Sequence, residues 1–185
     1  MSEKQRVFFV IDMKTFFASV ECAERGLDPF ETNLVVADES RGEGGICLAV
    51  TPKMKAQGVK NRCRLFEIPK NIKYIIAKPR MRKYIEYTAE IYGIYLKYID
   101  KNDIHVYSID ECFIDATDYL KMYKIRAKAF AQKLMGEIKD KLHIPSTAGI
   151  GSNMYLAKIA LDITAKHSPD FIGWLTEEKY RQNLW

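Results

Sequence analysis

Two adjacent carboxylates, Asp110 and Glu111, lie in the run Val106-Tyr107-Ser108-Ile109-Asp110-Glu111-Cys112-Phe113-Ile114-Asp115, between short stretches rich in β-branched and aromatic residues. That pattern predicts strand, tight turn, strand, with the acids at the tip. Far upstream a second strand-like run, Val7-Phe8-Phe9-Val10-Ile11, stops on Asp12. Converging carboxylates repel unless cations neutralise them, and an all-oxygen donor set suits hard divalent ions. Two Mg²⁺ ions about 3.5–4 Å apart can activate one oxygen and stabilise another as it leaves, which is what phosphoryl or nucleotidyl transfer requires. Taken alone, the Asp-Glu pair reads first as a solvated turn. Its chemistry therefore depends on whether the fold delivers Asp12 to it.

The elements that would do so follow from periodicity. Val7 to Asp12 is a near-continuous apolar run, the mark of a strand buried on both faces. A helix follows over Thr15–Arg25, ended by Gly26 and Pro29. Asn33–Ala37 and Ile46–Thr51 read as strands around a polar loop, and Pro52–Gln57 as a short helix closed by Gly58. Tyr74–Ala77 is another short apolar run. Arg80–Ile99 is an amphipathic helix, with Ile85, Thr88, Ala89, Tyr92, Leu96 and Ile99 at helical spacing. Beyond the acidic hairpin come a second long helix over Leu120–Leu142, a strand over Ser146–Gly151, and a helix from a Ser152 or Asn153 cap to about Lys166.

With the short middle elements set aside, the order is β, α, β, β, α, β: an α+β, ferredoxin-like split β-α-β arrangement. Its topology puts the first strand beside the hairpin, and so Asp12 beside Asp110 and Glu111. The expected domains are a sheet domain over 1–21 and 80–170, an insertion over 22–79, and a final segment, 171–185, that begins a further domain.

The 185 residues are 48% hydrophobic and 29% charged, values that fit a globular domain with a real core. No apolar run is long enough to cross a bilayer, and no signal-peptide core precedes Asp12, so no membrane association and a cytoplasmic location are expected. Cys22, Cys47, Cys63 and Cys112 lack CxxC spacing and, with the three histidines, make no zinc pattern, so four reduced thiols are expected. Net charge is +5, but Lys53 to Lys83 holds eleven Lys/Arg against one acid, a local +10 that leaves −5 for the rest. Such asymmetry fits a surface that meets phosphate, and equally a solvated basic face. No GxxxxGK[ST] loop is present, so a triphosphate would need side chains to hold it. Lys55 and Lys158 are candidates. Lys158 sits near a helix start, where backbone amides also favour anions, although an exposed lysine on an amphipathic helix has the same pattern.

Three motifs, in order, resemble those of the Y-family translesion DNA polymerases, nearest the UmuC/UvrX-like bacterial branch. They are Val10-Ile11-Asp12-Met13-Lys14-Thr15-Phe16-Phe17-Ala18-Ser19-Val20-Glu21, the Ser108-Ile109-Asp110-Glu111 hairpin, and Ala148-Gly149-Ile150-Gly151-Ser152-Asn153-Met154-Tyr155-Leu156-Ala157-Lys158-Ile159-Ala160. The resemblance implies a polymerase palm with a small inserted fingers domain, and a thumb beginning at 171–185. It implies that Asp12, Asp110 and Glu111, with the Met13 carbonyl, bind two Mg²⁺ ions. Phe17 falls where the family has a steric gate against the 2′-hydroxyl, while Phe16 reads as core. Amides near Phe16 and Phe17, together with Thr51, Lys55 and Lys158, would hold the nucleotide. Primer–template DNA and dNTP are the implied partners, a sliding clamp or recombinase further ones, and SOS-type DNA repair the implied setting.

Two departures stand out. Lys14 replaces an acid common two residues after the first catalytic Asp, and Pro52 stands where many members have Tyr, leaving Thr51 as the nearest hydroxyl. The resemblance further implies that a palm-and-fingers portion is weakly active or inactive alone. Two other readings remain open: a nucleotidyl cyclase on the same palm, and a non-catalytic relative serving as a binding module.

Overall fold

The computed structural model describes residues 6–183. β1 (Phe8–Met13) leads into α1 (Phe16–Ala23), β2 (Leu34–Val36), β3 (Ala49–Val50), α2 (Pro52–Ala56), β4 (Ile75–Ala77) and α3 (Met81–Leu96). The chain continues through β5 (Ile104–Val106), β6 (Glu111–Asp115), α4 (Thr117–Met122), α5 (Ala127–Leu142), β7 (Ser146–Gly151), α6 (Met154–Ile159), β8 (Ile172–Leu175) and α7 (Glu177–Asn183). Of the described residues, 6–13, 88–141 and 145–183 form one compact unit, and 14–87 with 142–144 form a second.

The first unit is built on a five-stranded sheet in the order β5-β6-β1-β7-β8. β1 is central, antiparallel to β6 on one side and to β7 on the other. This explains its unbroken apolar sequence, since Phe8, Phe9, Val10, Ile11 and Met13 are all buried. On one face Phe8, Val10 and Phe113 pack with Ala157 and Leu161. On the other, Phe9 meets Phe130 of α5 edge to face at 5.9 Å. The four strands β5, β6, β1 and β7 have the split β-α-β order that the sequence predicts, and the fold is α+β and ferredoxin-like.

Two features differ from the sequence reading. Ile172–Leu175 adds a fifth strand to the sheet, parallel to β7, with Ala148 opposite Ile172 and Gly151 opposite Leu175. Parallel neighbours need a crossover, which the helical segment from Met154 to His167 supplies. A four-residue strand is too short to show period-2 alternation. The helix expected over Leu120–Leu142 is also broken, into α4 and α5. Lys124 takes a left-handed φ of 51°, with its amide on Lys121 O and the Ile125 amide on Leu120 O. These are the two bonds of a Schellman stop, here without the glycine that would announce it.

After Asn153, whose side chain accepts from the Leu156 amide at 2.8 Å, the chain runs as α6. It then loosens into a π turn at Ala160–Thr164 and a 3₁₀ turn at Ala165–His167. This segment lies directly on β7 and β8 because glycines make room for it. A Cβ on Gly149 would come within 3.0 Å of Ala157 O and Leu161 N, and one on Gly173, opposite Gly149 in register, would collide with Ala160 O.

The second unit has a three-stranded sheet, β3-β2-β4, with β2 antiparallel to β3 and parallel to β4. Val35, Val50, Met54, Val59, Leu65 and Ile68 fill its core. Gly26 and Gly58 close α1 and α2 at φ +65° and +87°, as their sequence positions predict. Among the described residues no helix is long and apolar enough to cross a membrane.

The glycine bed makes a clear prediction. Gly149→Ala forces main-chain atoms apart and should cost roughly 2–3 kcal/mol. Gly136→Ala, at a helical position with open space around it, should stabilise by up to about 1 kcal/mol. Urea midpoints of the two variants would separate them, and equal midpoints would refute close packing at Gly149.

Candidate active site

Register brings the first acids together. Asp12 and Glu111 are paired residues across β1 and β6, on the sheet face that α6 covers. The turn before Glu111 is tied down at both ends. The Met13 amide donates to Asp110 O at 2.9 Å, and the Tyr107 and Ser108 amides donate to Glu111 O at 3.0 and 3.1 Å. Thr88 Oγ1 donates to Ile109 O at 2.6 Å. On the other flank Thr147 Oγ1 donates to Asp12 O at 3.3 Å. Asp110 therefore sits at the turn, with Glu111 as the first residue of β6.

The acids feel one another. Burial first, then the charges of Asp110 and Glu111, push the Asp12 carboxyl up to about 7, against the opposing pull of Lys158 and Lys166. The Lys158 ammonium, delivered by α6, lies 2.8 Å from Glu111 Oε1 and 3.6 Å from Asp162 Oδ2. Burial would lower the Lys158 pKa, but Glu111 outweighs it and the net shift is upward. The Glu111 side chain is only 10% exposed, and its Oε1 has this ion pair but no aligned hydrogen bond. Ser108 Oγ donates to Asp110 Oδ1 at 2.8 Å.

A hard divalent cation fits this donor set. The ligand atoms are all oxygens, Glu111 Oε1 is buried with an ion pair but no aligned hydrogen bond, and Asp12 is raised by burial and by the charges of Asp110 and Glu111. Among the described residues, however, no three acidic, His or Cys side chains stand grouped as a ready-made ligand cluster. Glu111 is turned to Lys158 and Asp110 to Ser108, so the strands bring the backbone positions together while one side chain takes a counter-charge and the other a hydroxyl donor.

The remaining candidates lie in the second unit. Phe16 is buried at the start of α1, whereas Phe17 is half-buried. The Phe17 ring stacks on Tyr84, 4.4 Å between centroids and 14° from parallel. The helix start is fixed by Thr15 at φ 46° and by Ser19, whose hydroxyl donates to Lys14 O at 2.6 Å and meets Thr15 Oγ1 at 3.1 Å. Lys55 is exposed on α2. Thr51 is fully buried, and its hydroxyl donates to Thr32 O at 2.7 Å and accepts from the Leu34 amide at 3.2 Å, so its one O–H is already used within the fold.

The sequence reading missed what supports Phe17. Tyr84 OH donates to Glu21 Oε1 at 2.9 Å. Arg80 grips both oxygens of Glu21 at 3.0 and 2.9 Å, and Arg25 donates to Oε2 at 2.5 Å. Burial alone would raise Glu21, but the bonds from Arg80, Arg25 and Tyr84 hold its pKa below 4.5. The available signal was the i, i+4 spacing of Arg80 and Tyr84, which puts both on one helix face.

A ferredoxin-like sheet with acids at the end of its central strand and at the adjoining hairpin defines a protein with a polymerase-type palm. The chain belongs to the impB/mucB/samB family, whose model matches residues 11–162. It is 33% identical over 176 residues to UvrX of Bacillus subtilis (strain 168), named for UV-damage repair, covering 95% of this chain and 41% of that protein. It is 35% identical over 185 residues to DNA polymerase IV 2 of the same organism, covering 98% and 43%. The chain thus spans less than half the length of these relatives. The crystal structure of DinB from Sulfolobus solfataricus superposes with a TM-score of 0.75 at 26% identity, over 95% of this chain and 50% of that one. A Y-family polymerase chimera of Dbh and Dpo4 gives 0.76 at 24% identity, a likeness of fold. The Y-family resemblance carried by the three motifs therefore holds.

The Glu21 cluster is testable by pH. A depressed carboxylate contributes stability above its unfolded value and loses it as pH falls through the lower folded value. Unfolding scans should show the wild type losing stability below about pH 4.5. Glu21→Gln should be less stable by about 2 kcal/mol at pH 7, and this gap should close in acid. A gap that stays constant with pH would disprove the ionic role.

Proposed function

We propose that the chain forms the palm and fingers of a template-directed DNA polymerase of the error-prone translesion type, extending a primer 3′-hydroxyl with dNTPs during DNA repair. The observation that carries this reading is the pairing of Asp12 with Glu111 at the strand end where Asp110 is bonded to the Met13 amide. The names of relatives such as DNA polymerase IV 2 support it. In this reading the first unit is the palm, the second is the fingers, and primer–template DNA and dNTP are the partners. A cytoplasmic setting, with a sliding clamp or recombinase as further partners, belongs to the same reading.

Asp12, Asp110 and Glu111, with the Met13 carbonyl, are the residues that would hold two Mg²⁺ ions. When bound, these would neutralise the carboxylates, lower the pKa of the attacking hydroxyl and stabilise the departing pyrophosphate. The chain itself does the positioning. The hairpin bonds hold Asp110 and Glu111 at the end of the central strand, so their charge is organised before substrate arrives. Lys158 gives Glu111 a counter-charge and can transfer that charge to a triphosphate. Amides at Phe16 and Phe17, together with exposed Lys55, are further phosphate donors, Lys55 as a point charge rather than a bidentate fork. The Phe17 ring, stacked on Tyr84, is the gate against a 2′-hydroxyl.

Calorimetry on the 185-residue chain tests the site. dNTP binding should require Mg²⁺, and Asp110→Ala should weaken it at least about tenfold with an unchanged melting temperature. Equal binding by that variant would overturn the assignment. In the complete polymerase, Phe17→Ala should admit ribonucleotides, and unchanged sugar selectivity would remove Phe17 from the role of gate.

A further inference from the structure

Four reduced thiols are what the sequence predicts, with no spacing that pairs any of them. The fold nevertheless places two of them opposite each other. In the second unit Ile46 and Arg64 form an antiparallel bridge, closed by the Cys47 amide on Cys63 O at 2.8 Å and by the Leu65 amide on Gly45 O at 3.0 Å. One step along this bridge, Cys47 faces Cys63. The pair shares one main-chain bond, the Cys63 amide going instead to Lys60 O at 3.4 Å; facing residues of antiparallel neighbours have Cα atoms about 4.5–5.5 Å apart, inside the window of about 4.4–6.8 Å that a disulfide needs. Both side chains pack in the same apolar cluster, Cys47 fully buried and Cys63 partly open at its edge beside Tyr74. The Cys63 thiol is near enough to raise the Cys47 pKa. Cys22 and Cys112 are buried elsewhere.

We propose that Cys47 and Cys63 are a disulfide-forming modification site, oxidised by small-molecule disulfides of the glutathione class. The asymmetry of the pair sets the order of events. Burial, reinforced by the neighbouring Cys63, pushes the Cys47 thiol up to about 12, so Cys47 stays protonated at neutral pH. Cys63 is the less buried of the two, and it follows the exposed cations Lys60 and Arg62, which attract an anionic oxidant. The Cys63 thiolate attacks one sulfur of the small disulfide, breaks its S–S bond and expels one small thiolate. Cys47 then attacks the Cys63 sulfur of the mixed disulfide. Its proton passes to solvent or to the departing thiolate, and a second small thiol is released. Two electrons pass from the protein to the oxidant, so one S–S bond forms for one broken.

The new bond closes a loop around β3 and α2, and therefore around Lys55. The consequence for nucleotide binding rests on the function proposed above. Formation of the bond does not, so thiol state and nucleotide affinity can fail separately.

The experiment incubates the reduced 185-residue chain with excess oxidised glutathione and follows free thiols, peptide masses and melting temperature. Free thiols should fall from four to two, and one linked peptide pair carrying Cys47 and Cys63 should appear, lighter by two hydrogens. The melting temperature should rise by roughly 5–10 °C, reversibly with dithiothreitol. Cys63→Ser should remain unlinked, and Cys47→Ser should stop at a glutathione adduct on Cys63. Four surviving thiols, an adduct on wild-type Cys63 that never resolves, linkage of any other pair, or a lowered melting temperature would each overturn the proposal.

Discussion

Burial of Asp12 at the end of the central strand, beside two further acids, is the constraint around which the site of the first unit is organised. Left to themselves, Asp12, Asp110 and Glu111 would separate and be solvated. They cannot, because Asp12 belongs to a strand hydrogen-bonded on both sides, and because the hairpin that carries the other two is tied to that strand through the Met13 amide. Backbone bonding of the sheet therefore opposes the electrostatic penalty. The penalty is visible in Asp12, driven up to about 7 by burial and by its two acidic neighbours. Where the side chains have freedom they relieve it, Glu111 toward Lys158 and Asp110 toward Ser108. Carboxylates held near one another in this way disfavour further negative charge and favour a neighbouring cation, as Lys158 is for Glu111.

Relief by Lys158 depends in turn on absent side chains. α6 reaches the sheet only because Gly149 and Gly151 present bare backbone to Ala157 and its neighbours, and Gly173 does the same for the segment that follows. The Gly-x-Gly of β7 resembles a phosphate-binding loop only in letters. Here it is a packing surface, and its product is the placement of an ammonium beside a buried carboxylate. The π turn directly after α6 stays in this close contact through Ala160 and Leu161 before the chain returns as β8.

The legible parts of this fold were those set by local pattern. The apolar run into Asp12, the hairpin acids, the Asn153 cap and the stops at Gly26 and Gly58 each carry their signal within a few residues. Their order was enough to give the ferredoxin-like topology and the neighbourhood of the three acids. Features that depend on partners distant in sequence stayed hidden. Thr51 looked like an available hydroxyl because nothing nearby shows that Thr32 and Leu34 occupy it. Phe17 gives no hint of Tyr84, nor Glu21 of Arg80, 59 residues away. Lys124 ends a helix by adopting a conformation that its residue type does not advertise.

The two units divide their chemistry in a way that composition alone anticipated. The first holds the acids, and the second holds the strongly basic stretch from Lys53 to Lys83. Carboxylates without cations repel phosphate, and lysines without carboxylates bind phosphate but cannot collect divalent ions. Support for the aromatic gate candidate follows the same logic as support for the acids. Phe17 rests on Tyr84, Tyr84 on Glu21, and Glu21 on two guanidinium groups. A buried charge pays for its desolvation only when its partners are fixed, and the same fixed partners hold the ring plane. In both units a buried carboxylate that would be unfavourable alone becomes, once paired, the rigid support of a partly exposed side chain.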